Sequence, residues 1–156
     1  MASVRKTIEG NILQELRLRL GDSATVQGFL ESVETGRIKQ RLASGPEVRV
    51  VVSSGQSEGW MSPFTVYSAT VSVRLDLEDD PTLSVFDALC EKVEGFIEEC
   101  RAAKNHVTLS GVFTVPGFRA DMFRADSGSD DMSFSPDDPY VSTTFAFSVR
   151  GVSTTK

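Results

Sequence analysis

The chain has 156 residues, 40% of them hydrophobic and 24% charged, with a formal net charge of -6. That length suits one domain with a core of its own, residues 1–156, and the residue balance suits a chain that folds and stays in solution. The negative balance argues against a surface built to coat nucleic acid, which needs concentrated Lys and Arg, while leaving room for a local basic patch; no apolar run is long enough for a signal peptide or membrane span, so a cytoplasmic, non-membrane protein is expected.

Ile8, Ile12, Leu16 and Leu20 recur every fourth residue, joined by Leu13, while Arg5, Lys6, Glu9, Glu15, Arg17 and Arg19 take other faces. This spacing predicts a first helix ending near Gly21, a residue suited to a helix C-terminus. Residues 22–46 support two readings, a short helix or an extended arm: Val26, Phe29, Leu30 and Val33 are interrupted by Gly28, Gly36 and Gly45. Val48, Val50, Val51 and Val52 form a β-branched run that predicts a strand over 47–53. Residues 54–59 then read as a mobile hairpin loop. The single Trp, Trp60, either covers the end of the core or serves as a partner-facing anchor of the kind interfaces favour.

From 67 to 77 the odd positions read Tyr67, Ala69, Val71, Val73, Leu75, Leu77, and the even ones Ser68, Thr70, Ser72, Arg74, Asp76. Strict alternation of this kind predicts a long strand with one face buried. Asp79 or Asp80 can cap the helix that follows, with Pro81 in its first turn, where a missing N–H costs nothing. Its buried stripe is Phe86, Leu89, Cys90, Val93, Phe96, Ile97 and Cys100, and Glu91, Lys92, Glu94, Glu98 and Glu99 mark the wet face. Val107, Leu109, Phe113 and Val115 predict a third strand, with Gly111 as a bulge and Pro116-Gly117 as the stop. The last strand alternates Val141, Thr143, Phe145, Phe147, Val149 against Ser142, Thr144, Ala146, Ser148, Arg150. The expected fold is α+β: a small, mainly antiparallel sheet of about four strands, two helices packed on one face, and extended loops.

Residues 117–139 form a connection too long for a compact hairpin. It holds a tandem echo, Phe118-Arg119-Ala120-Asp121 and Phe123-Arg124-Ala125-Asp126, and its six Asp against two Arg give a net charge of -4. Five-residue spacing places the two echoes on nearby but distinct faces of a helix, or on opposite faces of a regular strand. Two readings stand here. Either a strand continues to roughly Arg124 and extends a hairpin past the sheet, or the segment is a projecting arm whose Phe118 and Phe123 bury only when a neighbouring subunit arrives.

No catalytic, cofactor-binding or metal residue is assigned. His106 is the single histidine, read as a loop residue, so no Ser-His-Asp or Cys-His arrangement can be assembled. There is no phosphate-cradling Gly-rich loop with its Lys, and no paired-Cys zinc spacing. Asp126, Asp130, Asp131, Asp137 and Asp138 are of the type that attracts hard cations, but their spacing matches no regular calcium loop. Cys90 and Cys100, ten residues apart on one helix, sit about 15 Å apart along its axis and cannot join; both read as small buried hydrophobes. Arg37, Lys39 and Arg41 alternate along a possible extended arm, as a solvated surface or as a contact for an anionic partner.

The element order resembles the tail terminator family of long-tailed bacteriophages, the tail completion or minor tail protein U proteins. The features that carry the likeness are an N-terminal helix, a Val-rich strand, and a long alternating strand ending in Leu75-Asp76-Leu77-Glu78-Asp79-Asp80-Pro81, followed by a helix and an aromatic last strand. The resemblance implies a non-enzymatic virion protein without cofactor. It would form a homo-oligomer, a hexameric ring, that caps the tail tube, ends its elongation and offers a docking face to the head. Its implied partners are the tail tube protein and a head-tail connector protein, and DNA passes through the ring without specific binding. It would assemble in host cytoplasm and reside at the head-proximal end of the tail. Within that reading Arg37, Lys39, Arg41, Trp60, Phe118, Arg119, Phe123 and Arg124 are the expected subunit or tail-tube contacts. A second reading is another connector component, a head completion or stopper protein; a more distant one is a metal- or ligand-binding enzyme domain.

Overall fold

Alternation of apolar and small polar residues makes two long strands, β4 (Phe64–Asp76) and β7 (Tyr140–Ser153), which pair antiparallel at thirteen positions from Phe64↔Val152 to Asp76↔Tyr140. The computed structural model describes residues 3–35, 46–53, 55–57, 63–76, 84–102, 113, 115–125, 129–133 and 140–153. Around the central pair lie β1 (Thr25–Gly28), β2 (Glu47–Val52), β3 (Gln56–Ser57), β5 (Phe118–Ala125) and β6 (Ser129–Ser133). The strand order is β1-β2-β4-β7-β5, with β3 also on β4 and β6 also on β7.

The described strands number seven, against about four expected: the track on each side of the central pair is split in two, and β1 adds a strand at the edge. β2 and β3 follow one another along β4, and β5 and β6 follow one another along β7. Within the ambiguous residues 22–46 the chain forms both β1, parallel to β2, and a short helix α2 (Phe29–Thr35). The fold is α+β with a mainly antiparallel sheet.

Helix α1 (Val4–Leu20) starts at Ser3, whose hydroxyl accepts from the Lys6 amide, and stops at Gly21, where φ is 55°. A positive φ there favours Gly because a Cβ would be strained. Helix α3 (Ser84–Ala102) buries Phe86, Leu89, Val93, Phe96, Ile97 and Cys100, the predicted stripe apart from Cys90, which is partly buried against the core. Both helices pack on one face of the sheet, against Val48, Val50, Val52, Ala69, Val71, Val73, Leu75, Phe147 and Val149. Lys6–Glu34 and Arg17–Glu31 ion pairs hold α2 on the same side.

Glu9, placed by its spacing off the apolar stripe of α1, is nonetheless 1% exposed. Its carboxylate accepts from the amides of Leu30, 2.8 Å, and Glu31, 3.1 Å, at the start of α2. The residue before that helix is Gly28, which has no side chain to cap it, and a Cβ there would stand 2.7 Å from the Glu9 carboxyl carbon. Glu9 therefore caps α2 from another helix, through space that only Gly leaves open.

Candidate functional site

With all three helices on one side, the described residues leave the other face of the sheet without a helix. Ser68, Thr70, Ser72, Ser142, Thr144, Ala146 and Ser148 form its middle, and Ser72 Oγ lies 3.3 Å from Thr144 Oγ1 across the β4–β7 ladder. Arginines stand around them. Arg74 lies over the Tyr140 ring at 4.0 Å, and Arg150 over Phe64 at 4.2 Å, its Nε donating to Asp121 at 3.1 Å. Arg49 is 3.4 Å from Glu47. Arg119 and Arg124 complete the set along β5, both exposed.

The β5 strand carries an irregularity between Ala120 and Met122, where the register moves from Ala120↔Gly151 to Met122↔Arg150. One extra residue reverses the alternation, so Phe118 and Ala120 before it and Phe123 and Ala125 after it all face the helices. The five-residue spacing of the echo thus ends with both Phe rings on the same face, not on opposite ones. Phe118 is 7% exposed, edge-on to Tyr67 at 5.5 Å; Phe123 is half-buried, stacked on Phe147 at 5.1 Å and on Phe113 at 6.3 Å. Their burial is supplied by this chain, so of the two readings of 117–139 the strand running to roughly Arg124 holds and the projecting arm does not. Arg119 and Arg124 remain on the outer face, and Met122, not singled out in the sequence, joins them with 47% exposure. Arg37, Lys39, Arg41 and Trp60 lie outside the described residues, as do His106, Asp126, Asp137, Asp138 and most of the predicted third strand. Phe113 and Val115 of that strand are described, and both are buried.

The helix side has the opposite electrostatic character. On α3, exposed Asp87, Glu91, Glu94, Glu98 and Glu99 stand against Lys92 and Arg101, five acids to two bases, a net of -3. An open groove of about 360 Å³ runs beside this helix, lined by Glu94, Ile97, Glu98, Arg101, Ala125, Phe145 and Ala146. No group of three or more His, Cys, Asp or Glu that could hold a metal occurs among the described residues. No described helix is long and apolar enough to cross a membrane.

A similar fold is found in a chain of a virion particle. Over 97% of this chain and 99% of the other, the fold is similar to a chain of the virion of a native gene transfer agent particle, with a TM-score of 0.58 at 12% identity. At that identity the likeness is one of fold. A second solved chain, 13% identical over 94% of this chain and 92% of its own, gives a TM-score of 0.45. No protein-family model and no curated protein matches the sequence.

The two thiols of α3 differ in environment, and neither is in a disulfide. Burial pushes Cys100 up to about 12 from its ordinary 9.0; nearby Arg19 opposes this, while Glu99 and Glu15 add to it. The folded state holds that proton more tightly than the unfolded chain does, so its stabilisation is complete below pH 9 and is lost as pH rises toward 12. Burial raises the Tyr67 phenol too, with the same sign. Urea midpoints should therefore fall at alkaline pH, and Cys100→Ala should lose the Cys100 share of that slope. At pH 8 a thiol reagent should modify Cys90 in the folded protein and reach Cys100 only on unfolding, as read by peptide mass spectrometry.

Proposed function

We propose that this chain is a structural subunit of a virion, and within that class a tail terminator: a ring that caps the tail tube, stops its elongation and presents a docking face to the head. The observation that carries the reading is the fold likeness to a virion chain over essentially the whole length of both proteins. The element order of helix, Val-rich strand, long alternating strand, helix and aromatic closing strand supports the finer assignment. A sheet with one Arg-bearing face that no described helix covers, and an acidic helix on the opposite side, also suits a subunit that meets different neighbours on its two sides.

In this role the protein performs no catalysis and takes no cofactor, and its contacts lie at surfaces and loops. Arg119 and Arg124 belong to the face of the sheet opposite the described helices. Arg37, Lys39, Arg41 and Trp60 are assigned to contacts with the tail tube or an adjoining subunit. The connector protein and the tube protein are the partners on either side of the ring, and DNA passes through without specific binding.

The test is to delete the gene from its parent particle and measure tails by negative-stain microscopy. Tubes of uncontrolled length are expected. Tails of normal length that fail to join heads would reassign the protein to a head completion or stopper role, and unaltered, infectious particles would overturn the structural reading.

A further inference from the structure

The bulge in β5 does more than turn two Phe rings inward. It sets Met122 on the outer face, where nearly half its surface meets water, between Arg119 and Arg124. A large, adaptable apolar side chain flanked by two exposed cations is suited to insertion in an apolar recess with an acidic rim. The groove beside α3 has that character. Ile97 and Phe145 contribute apolar surface, and Glu94 and Glu98 are exposed at its edge, with Arg101 3.3 Å from Glu98. The two features lie on opposite sides of the sheet.

We infer that the groove of one copy receives Met122 of a second copy, with Arg119 and Arg124 against Glu94 and Glu98. The contact is heterologous: each copy uses one patch as knob and a different patch as recess, so a bound copy still offers both kinds of surface to others. Met122 supplies apolar burial, while the charges set orientation and encounter rate. This deepens the ring reading and rests on it for its biological setting, but the contact itself is a property of the isolated chain.

Sedimentation velocity of the full chain over a concentration series at low salt tests it. The wild type is expected to associate, with weakening as salt rises, because exposed charges are screened beyond about 10 Å at 0.1 M. Met122→Glu and the pair Arg119→Glu with Arg124→Glu alter exposed positions, and each should weaken association about tenfold or more at unchanged thermal stability. Glu94→Lys with Glu98→Lys should do the same from the other side. An equimolar mixture of the Met122→Glu and Glu94→Lys/Glu98→Lys proteins then has one intact knob and one intact recess, and should form dimers that grow no further. A wild type that stays monomeric, a Met122→Glu protein that associates like wild type, or a mixture that stays monomeric overturns the assignment. So does duplex DNA binding that depends on Arg119 and Arg124 in the absence of self-association, which would give the patch to phosphate. Normal tail-length control by a protein that fails these tests would discard this contact and leave the terminator reading standing.

Discussion

Gly151→Ala is expected to destabilise the protein by about 3 kcal/mol, at the top of the usual range for overpacking. A Cβ at this position would stand 2.3 Å from the backbone carbonyl oxygen of Arg119 and 2.5 Å from Cζ of Phe118. A flexible side chain can swing aside, but the first of these atoms is the backbone of a paired strand. Gly151 lies opposite Ala120, directly beside the β5 bulge, so moving Arg119 disturbs the register that turns Phe118 and Phe123 inward. For a domain of this size the loss corresponds to a fall in Tm of roughly 6–12 °C, measurable by calorimetry or by circular dichroism melts. Gly10→Ala is the control. It lies exposed within α1 with nothing near its added methyl, and should raise stability by about 0.4–1 kcal/mol. A Gly151→Ala protein as stable as the wild type would mean that β5 and β7 are not so closely apposed.

Glu9→Ala should cost about 3 kcal/mol, since two backbone amides lose a charged acceptor worth about 1.5–3 kcal/mol each, and partial access of water to the start of α2 returns some of that. Glu9→Gln should be milder, because one amide oxygen can still accept while the NH2 group faces a donor. The effect should be local as well as global. Without the cap, α2 loses its tie to α1 at the N-terminal end, though the Arg17–Glu31 pair at 2.7 Å remains. Amide exchange at Leu30 and Glu31 should rise before that of the β4–β7 ladder. Equal protection in Glu9→Ala and wild type would remove Glu9 from the capping role. Gly28→Ala tests the same geometry from the other side, because its methyl would press on Glu9 and on Leu13 at 2.8 Å.

These two positions mark the boundary of what residue order conveys. Ile8, Ile12, Leu13, Leu16 and Leu20 gave α1 its face, and the odd positions of β4 and β7 gave the sheet its inner side, because side-chain direction repeats with the backbone at 3.6 or 2 residues. Glu9 broke no pattern in the sequence. A charged residue beside Ile8 reads as solvated, and only the arrival of α2 over it, made possible by Gly28, turns it into a cap. The Phe118 and Phe123 echoes fail for a related reason. Their spacing was visible, but the extra residue at the bulge is defined by the partner strand β7, and nothing within β5 itself announces it.

For the candidate site the division is similar. Arg119 and Arg124 were visible as charges on an unusual repeat, and the structure keeps them on the outer face; Met122 went unnoticed because a single Met in a strand normally points inward with its alternating neighbours. The opposition of an Arg-bearing sheet face and an acidic α3 was equally hidden, since net charge sums over surfaces that the fold places apart. By itself, the sequence determined the class of fold, the two long strands, the two main helices and most of the core, all fixed by local periodicity. Tertiary structure alone decided which Phe rings bury, which carboxylate becomes a cap, and where Met122 emerges, because each depends on the register between segments distant in the chain and on the space that Gly28 and Gly151 leave open.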